Sequence, residues 1–144
     1  GLLSAAVESA DLFLNQGVIV STKSRSEGDQ QFQALPSLEF QNLKVGILIN
    51  DRSASAAEVF TAALKEHGRA WVIGEKSYGK GVVQKLFPLS NGASLQMTVS
   101  HYYTPSGRMI EGVGIAPNQV YPMPHELKDE SYVEHVAEIL INRR

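Results

Sequence analysis

This 144-residue sequence predicts an α/β fold, on three observations. Two short apolar runs, KVGILIN at 44–50 and AWVIG at 70–74, flank a segment of helical composition, which is the pattern of a βαβ unit. An amphipathic stretch at the start leads into a β-branched run, and an alternating hairpin follows the second apolar run. With 43% hydrophobic residues the chain is long enough to bury one core.

Taken in order, Leu2, Leu3, Ala6, Val7, Ala10 and Leu14 recur at helical spacing before Gly17, and VIVST at 18–22 then reads as a strand. Residues 21–37, polar and poor in large apolar groups, read as an exposed excursion or flexible loop. The run at 44–50 reads as a strand covered on both faces. SAAEVFTAALKEH at 55–67 reads as a helix stopped by Gly68, and AWVIG as a second buried strand. VVQKLFPL, a turn at Ser90-Asn91-Gly92 and SLQMTVS form a β-hairpin, in which Leu95, Met97 and Val99 alternate with polar residues. The Gly- and Pro-rich stretch that follows, up to Pro122, reads as an ordered loop. Tyr132, Val133, Val136, Ile139 and Leu140 form the stripe of a surface helix.

Composition excludes several chemistries. A net charge of −2 with dispersed charges offers no electrostatic basis for nucleic-acid binding. Without cysteine there is no disulfide, no thiolate metal site and no cysteine nucleophile, so a nucleophile must come from Ser, Thr, Lys or a carboxylate. No His, Asp and Glu group has metal-site spacing, and neither metal nor cofactor is expected. No apolar run reaches the roughly 20 residues of a membrane span.

GEKSYGKG at 74–81 invites comparison with a phosphate-binding loop, G-x-x-x-x-G-K-[ST]. Gly74, Gly79 and Lys80 match, but the hydroxyl position is Gly81, and a strand follows where the helix N-terminus should be. If Lys80 acts as a base it needs a hydroxyl partner, and SASAAE at 53–58 supplies one where a strand turns into a helix. Unpaired N–H groups and positive potential gather at that corner, which suits a nucleophile and its oxyanion hole. Ser55-Ala56-Ala57-Glu58 is also a capping box, S-x-x-E, which by itself accounts for Ser55 and Glu58.

A lysine takes a proton only when neutral, and an ordinary lysine, with a pKa of about 10.4, is charged at neutral pH. A Ser-Lys pair therefore needs desolvation on the order of 4 kcal/mol to bring an amine into the working range. Lys80, beside Tyr78 and Val82-Val83, is the lysine best placed for it, whereas Lys65 and Lys85 sit in polar or helical-surface contexts. Among rival histidine bases, His67 lies on the same helix as Ser55, about 18 Å further along it. His125 and His135 read as surface residues of the charged tail, which leaves His101, beside Tyr102 and Tyr103.

The S-A-S-A-x-E turn, the H-G-R-A helix end, G-E-x-x-x-G-K-G-x-x-Q, Y-Y-T-P-S-G-R and G-x-G-I-x-P occur in the order and spacing of one family. Over residues 1–122, and most densely over 43–117, the chain resembles the catalytic domain of the carboxyl-terminal processing peptidases, the tail-specific serine proteases of family S41. The resemblance implies a crotonase-like or Clp-protease-like spiral core built of ββα units, with 123–144 as an extension carrying the surface helix. It implies Ser55 as nucleophile, Lys80 as general base and Gln84 as the group orienting the lysine. On a strand, residues four apart share a face, so Lys80 and Gln84 are expected to converge. The Ala56 backbone N–H and Gly1, the last glycine of an upstream motif, are the implied oxyanion donors.

Substrates so implied are protein or peptide carboxyl-terminal tails, captured by an upstream PDZ domain outside this chain, in an extracytoplasmic compartment such as the bacterial periplasm or cell envelope. Arg52, Ala57 and Asn118 depart from the family's usual residues without removing a proposed catalytic group. A second reading is an inert fragment of that fold, acting as a structural or binding module. The third is nucleotide binding, which saturable ATP binding lost in Lys80→Ala would support.

Overall fold

The computed structural model describes residues 1–25, 28–36, 40–122 and 130–142. They form α1 (Leu3–Asp11), β1 (Val18–Ser24), β2 (Gln30–Gln33), β3 (Val45–Ile49), α2 (Ala56–Glu66), β4 (Ala70–Gly74), β5 (Val82–Pro88), β6 (Ser94–Tyr103), β7 (Gln119–Val120) and α3 (Glu130–Ile141). The strands make a four-stranded antiparallel sheet, ordered β2-β1-β6-β5, and a three-stranded parallel sheet, ordered β3-β4-β7.

The parallel pair comes from the predicted βαβ unit: β3 and β4 run in register from Val45↔Ala70 to Ile49↔Gly74, with α2 as the crossover. Helix α2 touches β4 of one sheet and β1 of the other, and α1 packs on α2. Its interior face explains this central position, since Val59, Ala62, Ala63 and Leu64 are all buried. Ala6 and Ala10 are the buried residues of α1, and side chains this small let helices approach closely. Gly68, at φ +66°, ends α2 in the left-handed conformation. The Gly68 and Arg69 N–H groups bond back to the Lys65 and Leu64 carbonyls at 3.0 and 2.8 Å, so the helix closes in a Schellman turn.

Four sequence expectations change. The segment 21–37 is not simply an excursion: β1 runs on to Ser24 and β2 pairs back on it antiparallel, from Val18↔Gln33 to Thr22↔Gln30. Exposed polar strands of this kind carry little hydrophobic signal, since only one face touches the core. Strand β3 is not covered on both faces, for only Ile49 is fully buried and Gly46 is exposed. The loop up to Pro122 contains β7, too short for periodicity to reveal; the Asn118 side-chain oxygen accepts the Val72 N–H at 2.9 Å and guides it onto β4. In α3, Val136 is buried but Val133 is 49% exposed and does not belong to the packed stripe. Leu140 packs where a side chain on Gly46 would stand, its Cδ1 1.9 Å from the position of an added Cβ. The Tyr132 and His135 side chains and all of His125 lie outside the described residues.

Candidate active site

Strand β3 ends at Ile49, and the chain turns through 50–55 into α2. Asn50 N–H donates to Ser53 Oγ at 3.1 Å, Arg52 N–H to Asn50 Oδ1 at 3.0 Å and Ser53 N–H to the Asn50 carbonyl at 3.0 Å, so the turn is held by its own short polar side chains. Ser55 comes out of it at φ 59°, ψ −120°, the one non-glycine with positive φ among the described residues. Such a conformation costs on the order of 1–3 kcal/mol and persists only where the surroundings impose it. Here it presents the serine at the head of α2. The next amide, Ala56 N–H, makes no hydrogen bond among the described residues, as expected for the first helical position. Gly1 lies against it: a Cβ on Gly1 would come within 3.1 Å of Ala56 Cβ, and the two residues line a mainly apolar hollow of about 310 Å³ with Ala57 and Phe60.

Glu58 joins this corner to the glycine-rich loop. Its side chain is 1% exposed and accepts four hydrogen bonds: Ser77 Oγ at 2.5 Å and Gly79 N–H at 2.7 Å on Oε1, and Ser55 N–H and Lys80 N–H, both at 2.8 Å, on Oε2. One carboxylate oxygen thus holds the backbone of Ser55 and of Lys80, whose nitrogens can be no further apart than two hydrogen-bond lengths. Of the capping box read from the sequence, the glutamate half is made, with Glu58 Oε2 accepting the Ser55 N–H, while the Glu58 N–H donates to the Ser55 carbonyl at 2.8 Å. The same glutamate that completes it is the bridge between the two turns, so the cap and site readings of Ser55 are compatible.

Lys80 lines an open cleft of about 670 Å³ with Gln84, Ala54, Tyr78 and Glu111. The lysine is exposed and Tyr78 is 69% exposed, so the burial expected from its apolar neighbours is absent: these side chains turn outward around the open cleft. Gln84 shares the cleft, but not through strand alternation. Strand β5 begins at Val82, beyond Lys80, and a bulge falls between Val83 and Gln84. The Gln84 Oε1 accepts from Gln96 Nε2 at 2.7 Å. Among the described residues no hydrogen bond joins the Ser55 and Lys80 side chains. His101 lies on β6 opposite Val82, and His67 closes the far end of α2 with Nε2 2.7 Å from the Val18 carbonyl.

Two functional candidates were not legible as such. Glu58 carried a local signal, the S-x-x-E spacing, which explained it fully as a cap. Glu111 carried none, since its partner, the Gly81 N–H at 2.6 Å, is far away in sequence.

The arrangement is a half-buried serine on a strained strand-to-helix turn, tied through Glu58 to a lysine loop on a mixed α/β scaffold. The profile of Peptidase family S41 matches residues 1–121, and the chain belongs to that family. It is 43% identical over 133 residues to a carboxy-terminal-processing protease of Bartonella bacilliformis, covering 92% of this chain and 31% of that protein. With a carboxyl-terminal-processing protease of Picosynechococcus it shares 39% over 122 residues, 85% of this chain and 29% of the relative. Among solved structures, a photosystem II D1 C-terminal processing protease superposes with a TM-score of 0.80 at 30% identity, over 97% of this chain and 36% of that one. The chain therefore spans about a third of the length of these relatives.

Proposed function

We propose that this chain is the catalytic core of a serine endopeptidase that cleaves proteins near their carboxyl-terminal tails, with Ser55 and Lys80 as its working pair. The observation that carries the reading is the shared Glu58 oxygen, which fixes Ser55 and Lys80 to one point while Ala56 N–H stays unbonded beside them. In this reading Ser55 Oγ attacks the scissile carbonyl carbon and its proton passes to neutral Lys80. The carbonyl oxygen, now negative, is held by Ala56 N–H and by the backbone at Gly1. The tetrahedral species collapses as its C–N bond breaks, and Lys80 returns the proton to the departing amine. Water then attacks the acyl-enzyme, again giving its proton to Lys80, and the acid leaves as Ser55 is restored. Gln84 stands at the cleft wall to orient the amine.

Protein tails as substrates follow from the relatives, whose names say that they process carboxyl termini. An upstream PDZ domain, an extracytoplasmic location and a core ending near residue 122 belong to the same proposal. No described helix is long and apolar enough to cross a membrane.

The test is phosphonylation by a fluorophosphonate, in which the serine oxygen bonds to phosphorus as fluoride leaves, read by intact mass and peptide mapping in the wild type, Ser55→Ala and Lys80→Ala. A single adduct on Ser55, lost in both variants, is expected, with Ser55→Ala keeping its stability within about 1 kcal/mol. An adduct elsewhere, or undiminished labelling in Lys80→Ala, refutes the assignment. No adduct in the wild type favours the inert structural module.

A further inference from the structure

Lys80 stands between two glycines, which leave its backbone without side-chain restraint, yet a base must aim its amine in one direction. What restrains it is a set of hydrogen bonds on both flanking peptide planes. The plane before Lys80 is fixed from two sides: Lys80 N–H donates to Glu58 Oε2 at 2.8 Å, and the Gly79 carbonyl accepts from Gly112 N–H at 2.9 Å. The plane after it is fixed by Glu111, whose Oε2 accepts Gly81 N–H at 2.6 Å. Gly79, Lys80 and Gly81 therefore give three successive amides to two carboxylates, one on α2 and one on the loop after β6.

That loop approaches too closely to be incidental. A Cβ on Gly81 would stand 2.3 Å from the Glu111 nitrogen, and one on Gly79 would stand 3.0 Å from the Gly114 nitrogen. The Gly81 carbonyl also accepts from Tyr102 N–H at 2.7 Å, so the residue after the lysine is bonded at both ends. Glu111 lines the same cleft as Lys80 and Gln84.

We propose that Glu111 is a positioning residue for Lys80: by holding the Lys80–Gly81 peptide plane while Glu58 holds the plane before it, it fixes the direction in which the lysine side chain leaves the backbone. This rests on the Ser55–Lys80 reading, and it gives the Y-Y-T-P-S-G-R and G-x-G-I-x-P loop a role as the outer jaw of a clamp on the base.

The experiment compares Glu111→Ala, Glu111→Asp and Glu111→Gln with the wild type in the full chain. Two quantities are read: the saturable kinetics of Ser55 phosphonylation by a fluorophosphonate, and amide hydrogen exchange at Gly81. Alanine removes the acceptor, and aspartate keeps the charge but withdraws it by a methylene. Both are expected to lower the maximal phosphonylation rate on the order of 10–100-fold with probe affinity unchanged, and to speed Gly81 exchange. Glutamine, whose side-chain oxygen can accept the same bond, is expected to recover most of the rate and the protection. Should the alanine variant fail to fold, the aspartate variant carries the test. A wild-type phosphonylation rate in alanine or aspartate, or a glutamine variant as slow as alanine while folded, overturns the proposal. A wild type that the probe does not label counts against the Ser55–Lys80 reading instead. The clamp is then judged on Gly81 exchange, and unchanged exchange in Glu111→Ala overturns it.

Discussion

Replacing Glu58 tests whether one buried carboxylate holds the two halves of the site together. Alanine leaves all four donors, Ser77 Oγ–H and the Gly79, Ser55 and Lys80 N–H groups, without their acceptor. A buried donor left unmade costs about 1–3 kcal/mol, so the buried Ser77 and Gly79 donors should together cost roughly 2–6 kcal/mol, against about 5–15 kcal/mol for a whole domain, while the part-buried Ser55 and Lys80 N–H groups add less. Glutamine is gentler for a specific reason. Its amide nitrogen cannot accept, but it can be turned toward Ser77 and Gly79, where the Ser77 hydroxyl can rotate and accept from it. That hydroxyl already accepts Ile115 N–H at 2.7 Å, but its oxygen has a second lone pair. One orphaned amide, Gly79, then costs about 1–3 kcal/mol, while the bonds to Ser55 and Lys80 survive.

Urea unfolding at constant slope should give these losses, and thermal midpoints should fall by roughly 3 °C per kcal/mol for a chain of this size. Fluorophosphonate labelling of Ser55 should persist in Glu58→Gln and disappear in Glu58→Ala even where that variant remains folded. A Glu58→Ala protein within 1 kcal/mol of the wild type would refute the reasoning, because the two buried donors, Ser77 Oγ–H and Gly79 N–H, cannot lose their acceptor so cheaply.

Two further expectations concern the surrounding loops. Gly81→Ala would place its Cβ 2.3 Å from the Glu111 nitrogen and 2.8 Å from the Ile110 carbonyl carbon, both backbone atoms, so the clamp must open. A loss of about 1–3 kcal/mol and of Ser55 labelling is expected, whereas Gly92→Ala, strained at φ +83° but with nothing within 4 Å, should lose about 1 kcal/mol and keep its labelling. Equal labelling in the two variants would contradict this. Glu66 supplies a pH signature. Burial opposes its ionisation, but hydrogen bonds from Arg108, Ser106 N–H and Thr104 outweigh that and hold its carboxyl below the usual range. Since the folded state favours the ionised form, its contribution is present above about pH 4.5 and is lost as pH falls through the lower folded value. Thermal midpoints measured from pH 5 to pH 3 should therefore fall less steeply in Glu66→Gln, and parallel curves would show that the Arg108 contact contributes nothing to acid stability.

Sequence by itself determined the elements whose signal is local. The β3-α2-β4 unit was legible because apolar runs, helical spacing and Gly68 all act within a few residues. The β5–β6 hairpin was legible from alternation around Asn91-Gly92, and family membership from motifs in fixed order. Ser55 and Lys80 were singled out, but the sequence held two explanations of Ser55, cap and nucleophile, with nothing to join them to the lysine. Tertiary structure decided what depends on distant partners. It turned residues 30–33 into a strand through pairing with β1, and placed β7 on β4 through Asn118. It left Lys80 exposed at the wall of an open cleft. It also made Glu58 and Glu111 the holders of the lysine loop, because a carboxylate's meaning lies in which donors converge on it, and here those donors come from segments that only folding brings together.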